Sequence, residues 1–423
     1  MAELIDLKDI EERVILVAVS TGDGADAAAS LDELEELVKT AGAATADKMI
    51  QNRERIHPGT YLGKGKIQEI RERVWELDAT GVVCDDELSP AQMRNLEQAL
   101  DIKVMDRTMV ILDIFASRAT TREGKIQVEL AQLRYRSARL VGLRSSLSRL
   151  GGGIGTRGPG EKKLEMDRRL IHDRISILKS ELEDVKRHRE VARQQRDKNH
   201  VPVAAIVGYT NAGKSTLLNR LTDAGILAED KLFATLDPTT RNLNLPGGQQ
   251  ILLTDTVGFI RKLPHHLIEA FKSTLEEAKY SDVILHVVDA SNPQMDMQMY
   301  VVYETLRDLG VSDKIVVTVF NKMDAADPEV SLRDITSDYQ IKISAKTGEG
   351  LLELLSLLET ILRNQKIYLE KTYSYKEAGK IQLIRKYGQL LTEEYRDEGI
   401  FVSAYVPSEL FASLADSTDD ISD

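Results

Sequence analysis

Apolar residues fall into three successive rhythms along this chain, and each predicts a different architecture. Up to about residue 117, short unbroken apolar runs alternate with stretches whose apolar residues recur every three or four positions. Residues 13–20, 45–51, 81–85 and 102–105 read as strands, and 31–41, 63–77, 90–100 and 109–117 as helices. Such alternation pairs the strands in parallel with helices outside, so residues 1–117 are expected to form a small N-terminal α/β domain. From 118 to 200 the period lengthens. Ile126, Leu133, Leu140 and Leu147 recur every seven residues, as do Leu164, Ile171, Leu178 and Val185, with Ile175 and Leu182 at the alternate position. These are coiled-coil-like seams, and they predict two long helices packed as an antiparallel hairpin around a glycine-rich tip at 151–161.

The third rhythm, over residues 201–363, is a set of apolar strands that each end in a short polar or glycine-bearing motif. A small unit follows at 364–410: a strand from 367, a helix over 375–387, and a hairpin of 390–395 with 400–406, which makes βαββ. Residues 411–423 are expected to be a disordered acidic tail, with Asp416, Asp419, Asp420 and Asp423 from 415 onward. The fold class is therefore α/β, with a small α+β unit after the third region.

The motifs at the strand ends carry the chemistry. Val203-Ala204-Ala205-Ile206-Val207 runs into Gly208-Tyr209-Thr210-Asn211-Ala212-Gly213-Lys214-Ser215, which is Gly, four residues, then Gly-Lys-Ser. This is the phosphate-binding loop between a buried strand and a helix. Its glycines let successive N–H groups turn inward on a phosphate chain, and the helix N-terminus adds a positive dipole end. Lys214 would neutralise the β- and γ-phosphates, and the Ser215 hydroxyl would ligate Mg²⁺. Asp255-Thr256-Val257-Gly258 ends the strand 251–254. Its carboxylate suits Mg²⁺ through a water, and the Gly258 N–H suits a γ-phosphate. Asn321-Lys322-Met323-Asp324 follows the strand 315–320. A carboxylate only accepts hydrogen bonds, so Asp324 selects a ring with adjacent N–H and NH₂ donors, which is guanine. Ser344-Ala345-Lys346 then brings an Ala345 N–H toward the guanine carbonyl. The segment 227–242 is expected to be the first switch, with Phe233, Ala234, Thr235, Leu236 and Asp237 at the nucleotide and Thr235 as the hydroxyl that meets Mg²⁺; Thr239 and Thr240 are the alternatives. Residues 258–264 would form the second switch. Lys214, Thr235 and Gly258 are the catalytic assignments. Four motifs in this order resemble the translation-factor class of GTPases.

Composition changes the picture in two places. The chain of 423 residues has a net charge of −12, yet residues 118–198 hold 21 Lys and Arg against 11 Asp and Glu, so +10 sits there and −22 elsewhere. One basic block in an acidic chain points to a local contact with a polyanion. Arg134, Arg136, Arg139, Arg144, Arg149, Arg157, Arg168 and Arg169 flank or occupy the tip. They read either as a solvated helix face or as a set of RNA-phosphate contacts. Cys84, the single cysteine, lies in Val82-Val83-Cys84 and reads as a buried strand thiol. No stretch reaches the roughly 20 apolar residues that span a bilayer, and the start lacks a cationic then apolar leader, so a cytoplasmic protein is expected. His265 and His266 read as solvated at a helix start, and no zinc-ligand spacing stands out. Gly59-Thr60-Tyr61-Leu62-Gly63-Lys64-Gly65-Lys66 is glycine-rich and basic. It reads as a weak phosphate contact or a plain strand-to-helix turn.

Several stretches resemble the HflX proteins, ribosome-associated GTPases of the Obg-HflX group: Tyr61 to Lys66, the tip Gly152 to Glu161, Phe233-Ala234-Thr235-Leu236-Asp237-Pro238-Thr239, and Asp255-Thr256-Val257-Gly258-Phe259-Ile260. The tip departs in one place, with Lys162 where many members have threonine. The resemblance implies a GTP-hydrolysing factor, expected to be monomeric, whose hairpin reaches RNA of the large ribosomal subunit near the peptidyl-transferase centre. Splitting or rescue of ribosomes under stress would be its task. A GTP-gated binding module for another RNA or a protein remains the alternative, and a metabolic P-loop kinase is disfavoured by the guanine-type motif. Phe259 stands where many GTPases place a water-orienting glutamine, so intrinsic hydrolysis is expected to be slow and accelerated by the ribosome.

Overall fold

A computed structural model describes residues 12–22, 25–147, 159–197, 201–222, 232–263, 277–311, 313–364 and 366–415. The chain groups into two units. Residues 1–185 join 229–237 and 258–273 in the first, and 186–228, 238–257 and 274–423 make the second.

The first unit opens as the alternation predicts: β1 (Arg13–Ser20), α1 (Ala25–Thr40), β2 (Ala44–Asn52), α2 (Lys64–Leu77), β3 (Gly81–Cys84), α3 (Pro90–Leu100), β4 (Lys103–Asp106) and α4 (Arg107–Arg118). The four strands are parallel in the order β2-β1-β3-β4. Central position explains why β1 is buried along all but its first residue. Local chemistry sets the helix ends. Ser89 and Gln92 form a reciprocal capping box ahead of Pro90, and Asp101 closes α3 in the left-handed region at φ 54°. Ile15, Val17, Ile70, Val82, Leu96 and Cys84 meet in the core, where burial pushes the Cys84 thiol well up.

The hairpin helices are α5 (Arg122–Leu147) and α6 (Pro159–Asp197). Ile126, Leu133, Ile171, Ile175, Leu178 and Leu182 form one cluster, and Leu130 supplies the alternate position of the first helix. Ion pairs Arg122–Glu181 and Arg174–Glu129 run the same antiparallel register. The side chains of Leu140, Leu147, Arg144 and Leu164, and the tip from 148 to 158 with Arg149 and Arg157, lie outside what is described.

One buried carboxylate roots this hairpin. Asp106 caps α4 at the Met109 N–H (2.9 Å), takes the Tyr135 hydroxyl at 2.8 Å and holds the Arg139 guanidinium at 2.6 Å. Arg139 also lies 3.2 Å from the Tyr135 ring centroid. The sequence reading placed Arg139 among the RNA contacts; it is instead committed to Asp106, whose buried charge requires a cation. Arg136, Arg168 and Arg169 stand exposed.

The second unit holds a six-stranded sheet in the order β10-β9-β8-β5-β7-β6. Its strands are β5 (Val203–Gly208), β6 (Thr239–Asn244), β7 (Gln250–Asp255), β8 (Val283–Asp289), β9 (Ile315–Asn321) and β10 (Tyr339–Lys342). Only the β6–β7 pair is antiparallel. Among the described residues, helices α7 (Lys214–Thr222), α8 (Met295–Asp308) and α9 (Leu351–Asn364) accompany it. A second sheet follows from β11 (Ile367–Tyr373), β12 (Gln389–Arg396) and β13 (Gly399–Val406), ordered β11-β13-β12 and antiparallel, with α10 (Ala378–Tyr387) between the first two. This is the expected βαββ unit, and the α/β class with its α+β extension holds throughout. The tail is a correction: Ser408–Ala415 forms α11, because Leu410, Phe411 and Leu414 recur at helical spacing and Leu414 enters the core beside Tyr373. Residues 416–423 lie outside the described chain. The β6–β7 turn also does more than reverse the chain: the Gly247 N–H donates to Glu359, and a Cβ there would come within 2.1 Å of that carboxylate.

Candidate functional site

Every strand of the six-stranded sheet that carries a motif ends it at the same edge, where parallel α/β sheets place their ligands. Gly208 closes β5 with a backbone (φ 155°) whose added Cβ would lie 2.2 Å from the Val287 carbonyl oxygen. Asn211 and Gly213 are in the left-handed region, at φ 60° and 93°, the kind of backbone reversal that lets successive N–H groups turn to one side of a loop.

Two polar side chains follow the loop. Lys214 is buried, and its ammonium donates to the Tyr209 carbonyl at 2.7 Å. Burial lowers its pKa to about 8, against the opposing pull of Asp255. The Ser215 hydroxyl donates to Asp255 at 2.7 Å. A hydroxyl and a fully buried carboxylate in contact form a hard-oxygen pair that suits Mg²⁺. Among the described residues no set of three or more His, Cys, Asp or Glu is placed to bind a metal. Thr256 has a structural partner, the Ile206 carbonyl at 2.7 Å, and Val257 is buried.

The base-recognition motif is tied to the phosphate loop by one side chain. Asn321 donates to the Ala212 carbonyl at 2.9 Å and accepts the Ala345 N–H at 2.9 Å. Gly213 is required there, because a Cβ would approach the Asn321 amide nitrogen to 2.3 Å. The Ala345 N–H, read from sequence as the donor to guanine, is thus engaged by Asn321. Asp324 remains partly open. The Ser344 hydroxyl bonds it at 2.7 Å, Lys346 stands 3.9 Å away, and the hydroxyl first and then the lysines keep its pKa below the ordinary carboxylate value. It is therefore an anion at neutral pH, as pairing with guanine N–H groups demands. Lys322, at φ 62°, pairs with Asp289 at 2.7 Å, and Met323 packs against the apolar cluster around Phe320.

The two switch segments are held by the first unit. Phe233 meets Phe115 edge-on at 4.7 Å between centroids. Asp237 accepts four hydrogen bonds, from the N–H and hydroxyl of both Thr120 and Thr121, at 2.5 to 3.0 Å. Burial opposes its charge, yet these donors outweigh it and lower the pKa. Leu236 is buried, while Ala234 and Thr235 are half-buried. In the second segment Lys262 pairs with Asp85 at 2.5 Å and Asp86 at 2.8 Å, and Arg261 pairs with Asp26. Asp85 also holds Arg107 at 2.8 Å and the Ser30 hydroxyl at 2.7 Å. Removing a sole partner from a buried charge costs about 3–5 kcal/mol. Asp85 keeps two partners if Lys262 departs, so that contact can break without stranding it. Phe259 is buried. His265 and His266, and residues 227–231 of the first switch, lie outside the described chain. Thr120, Thr121, Asp85 and Asp86 carried no sequence signal: each is an ordinary polar residue whose partner in the switch segments lies more than a hundred positions away.

Comparison with protein families matches three models along the chain: "GTP-binding GTPase N-terminal" over 28–116, "GTP-binding GTPase Middle Region" over 118–196 and "50S ribosome-binding GTPase" over 203–322. A GTPase HflX of Lacrimispora saccharolytica is 87% identical over 419 residues, 99% of both chains. The chain belongs to the HflX family of GTPases. The GTPase HflX of Escherichia coli is 44% identical over 358 residues, 84% of each chain, and that of Caldanaerobacter subterraneus is 49% identical over 402 residues, 95% of this chain and 92% of the relative. Among solved structures, a GTP-binding protein from Sulfolobus solfataricus in complex with GDP aligns with TM-score 0.44 and 24% identity, over 83% of this chain and 98% of that one. The chain binds and hydrolyses GTP.

Two outcomes test the geometry. Asp324→Asn replaces an acceptor by an amide, so competition binding should show preference passing from guanine to xanthine nucleotides; retained guanine preference would exclude Asp324 from base recognition. A Lys214 that holds phosphate must be charged to do so, and burial lowers its pKa to about 8. Calorimetric GDP affinity should therefore be flat below that pH and fall above it, with that inflection absent in Lys214→Arg.

Proposed function

We propose that this chain is a guanine-nucleotide-gated factor of the large ribosomal subunit that splits or rescues ribosomes in the cytoplasm under stress, acting as a monomer. One observation carries the reading. A hairpin of charge +10, in a chain of −12, is joined to a region matching a family described as 50S ribosome-binding. Among the described residues no helix is long and apolar enough to cross a membrane. Arg136, Arg168 and Arg169 are the exposed described members of the basic set, and phosphate contacts by such residues bind without reading sequence.

Hydrolysis breaks the bond between the γ-phosphorus and the bridging oxygen while water attacks in line. Gly208, Tyr209, Thr210, Asn211, Ala212, Gly213 and Ser215 form the cradle, and their amides with Lys214 stabilise the charge that spreads over the phosphate oxygens. Ser215 and Thr235 would hold Mg²⁺, with Asp255 acting through water. When bound, the ion would neutralise the β- and γ-oxygens. The Gly258 N–H reports the γ-phosphate, and Asp324, with Asn321, Ser344, Ala345 and Lys346 behind it, selects guanine. Nothing at Phe259 orients the water, because a buried phenyl ring neither donates nor accepts. The partner supplies that group or orders the switch that carries it.

Turnover measured alone and with large subunits tests this. Subunits should raise kcat, and charge-neutral Gln at Arg136, Arg168 and Arg169 should weaken subunit binding while lowering its salt slope by about 1 per lost phosphate contact. Equal turnover with and without subunits, or binding indifferent to all three arginines, would favour a protein or another RNA as partner.

A further inference from the structure

We infer that Asp237 is a positioning residue for GTP hydrolysis, which fixes the Thr235 segment on the first turn of helix α5; the inference rests on reading Thr235 as the switch hydroxyl. Two residues of extended chain span at most about 7 Å. A carboxylate held by four hydrogen bonds to Thr120 and Thr121 therefore confines Thr235 to the neighbourhood of that turn.

The receptor for the carboxylate is built at three positions. The N–H groups of Thr120 and Thr121 are donors at the start of a helix of 26 residues, whose dipole favours an anion there. The Thr121 hydroxyl donates to Asp237 and accepts the Gly124 N–H at 3.0 Å, so one side chain caps the helix and grips the switch. Gly124 leaves the necessary space: a Cβ at that position would lie 2.4 Å from the Asp237 carboxylate oxygen and 3.2 Å from the Thr121 hydroxyl. Its backbone is helical, where glycine weakens a helix and alanine strengthens it. Clearance for Asp237 is the reason glycine serves at this position. Helix α5 is also the first arm of the basic hairpin, so anything that shifts α5 shifts the anchor of the switch.

Gly124→Ala tests the inference from the receptor side, in the full chain, with single-turnover GTP hydrolysis, GDP affinity and thermal midpoint as readouts. The expected result is a fall in kcat of roughly tenfold or more, with GDP affinity unchanged and the midpoint unchanged or raised. Asp237→Ala should show the same fall, and the double variant no more than either alone, because both remove one contact. An undiminished kcat in Gly124→Ala, or falls that add in the double variant, overturns the inference. Thr235→Ala separates it from the reading beneath it. If that variant lowers kcat while Gly124→Ala does not, the anchor alone fails; if Thr235→Ala leaves kcat intact, the switch reading fails and the inference with it.

Discussion

The nucleotide site depends on one amide. Asn321 joins the phosphate loop, through the Ala212 carbonyl, to the Ser344–Lys346 loop, through the Ala345 N–H. It can do so only because Gly213 has no side chain. Each bond is worth about 1 kcal/mol net, but an amide buried at 2% exposure and left unpaired would cost about 1–3 kcal/mol per group. The asymmetry makes the arrangement all-or-none. Loops from three strand ends are joined by it, those that carry Lys214, Asp324 and Ala345.

A second set of contacts has a different character. Asp237, Arg261 and Lys262 belong to the segments expected to respond to the γ-phosphate, and all three end on groups of the N-terminal half of the chain. Ion pairs and charged hydrogen bonds suit that task better than apolar packing. Asp237 and Lys262 are only partly buried, and water can replace their partners. Asp106, by contrast, is wholly buried and roots the hairpin through Tyr135 and Arg139.

The elements themselves were legible where periodicity and punctuation agreed. Residues 90–100 were read without error because Ser89-Pro90 starts the helix and Asp101 ends it, and the hairpin seam was read from its seven-residue spacing. Helix α11 was missed because Asp416, Asp419 and Asp420 gave the tail a disordered composition that masked Leu410 and Leu414. The phosphate-loop motif and Asp324 stood out as candidates because each lies at a strand end that the apolar runs mark. Side chains that meet across the fold were not. Arg139 looked like its exposed neighbours until Asp106, 33 residues earlier, claimed it, and nothing about Thr120 and Thr121 announces a partner at Asp237.

The central claim is that guanine nucleotide governs attachment to the large ribosomal subunit. Sedimentation of the purified chain with subunits and with intact ribosomes, in GDP, GTP or a non-hydrolysable GTP analogue, tests it most directly. The account predicts co-sedimentation with the large subunit in the triphosphate forms and loss of intact ribosomes in the same gradients. Absence from the ribosomal fractions in every nucleotide state would contradict it.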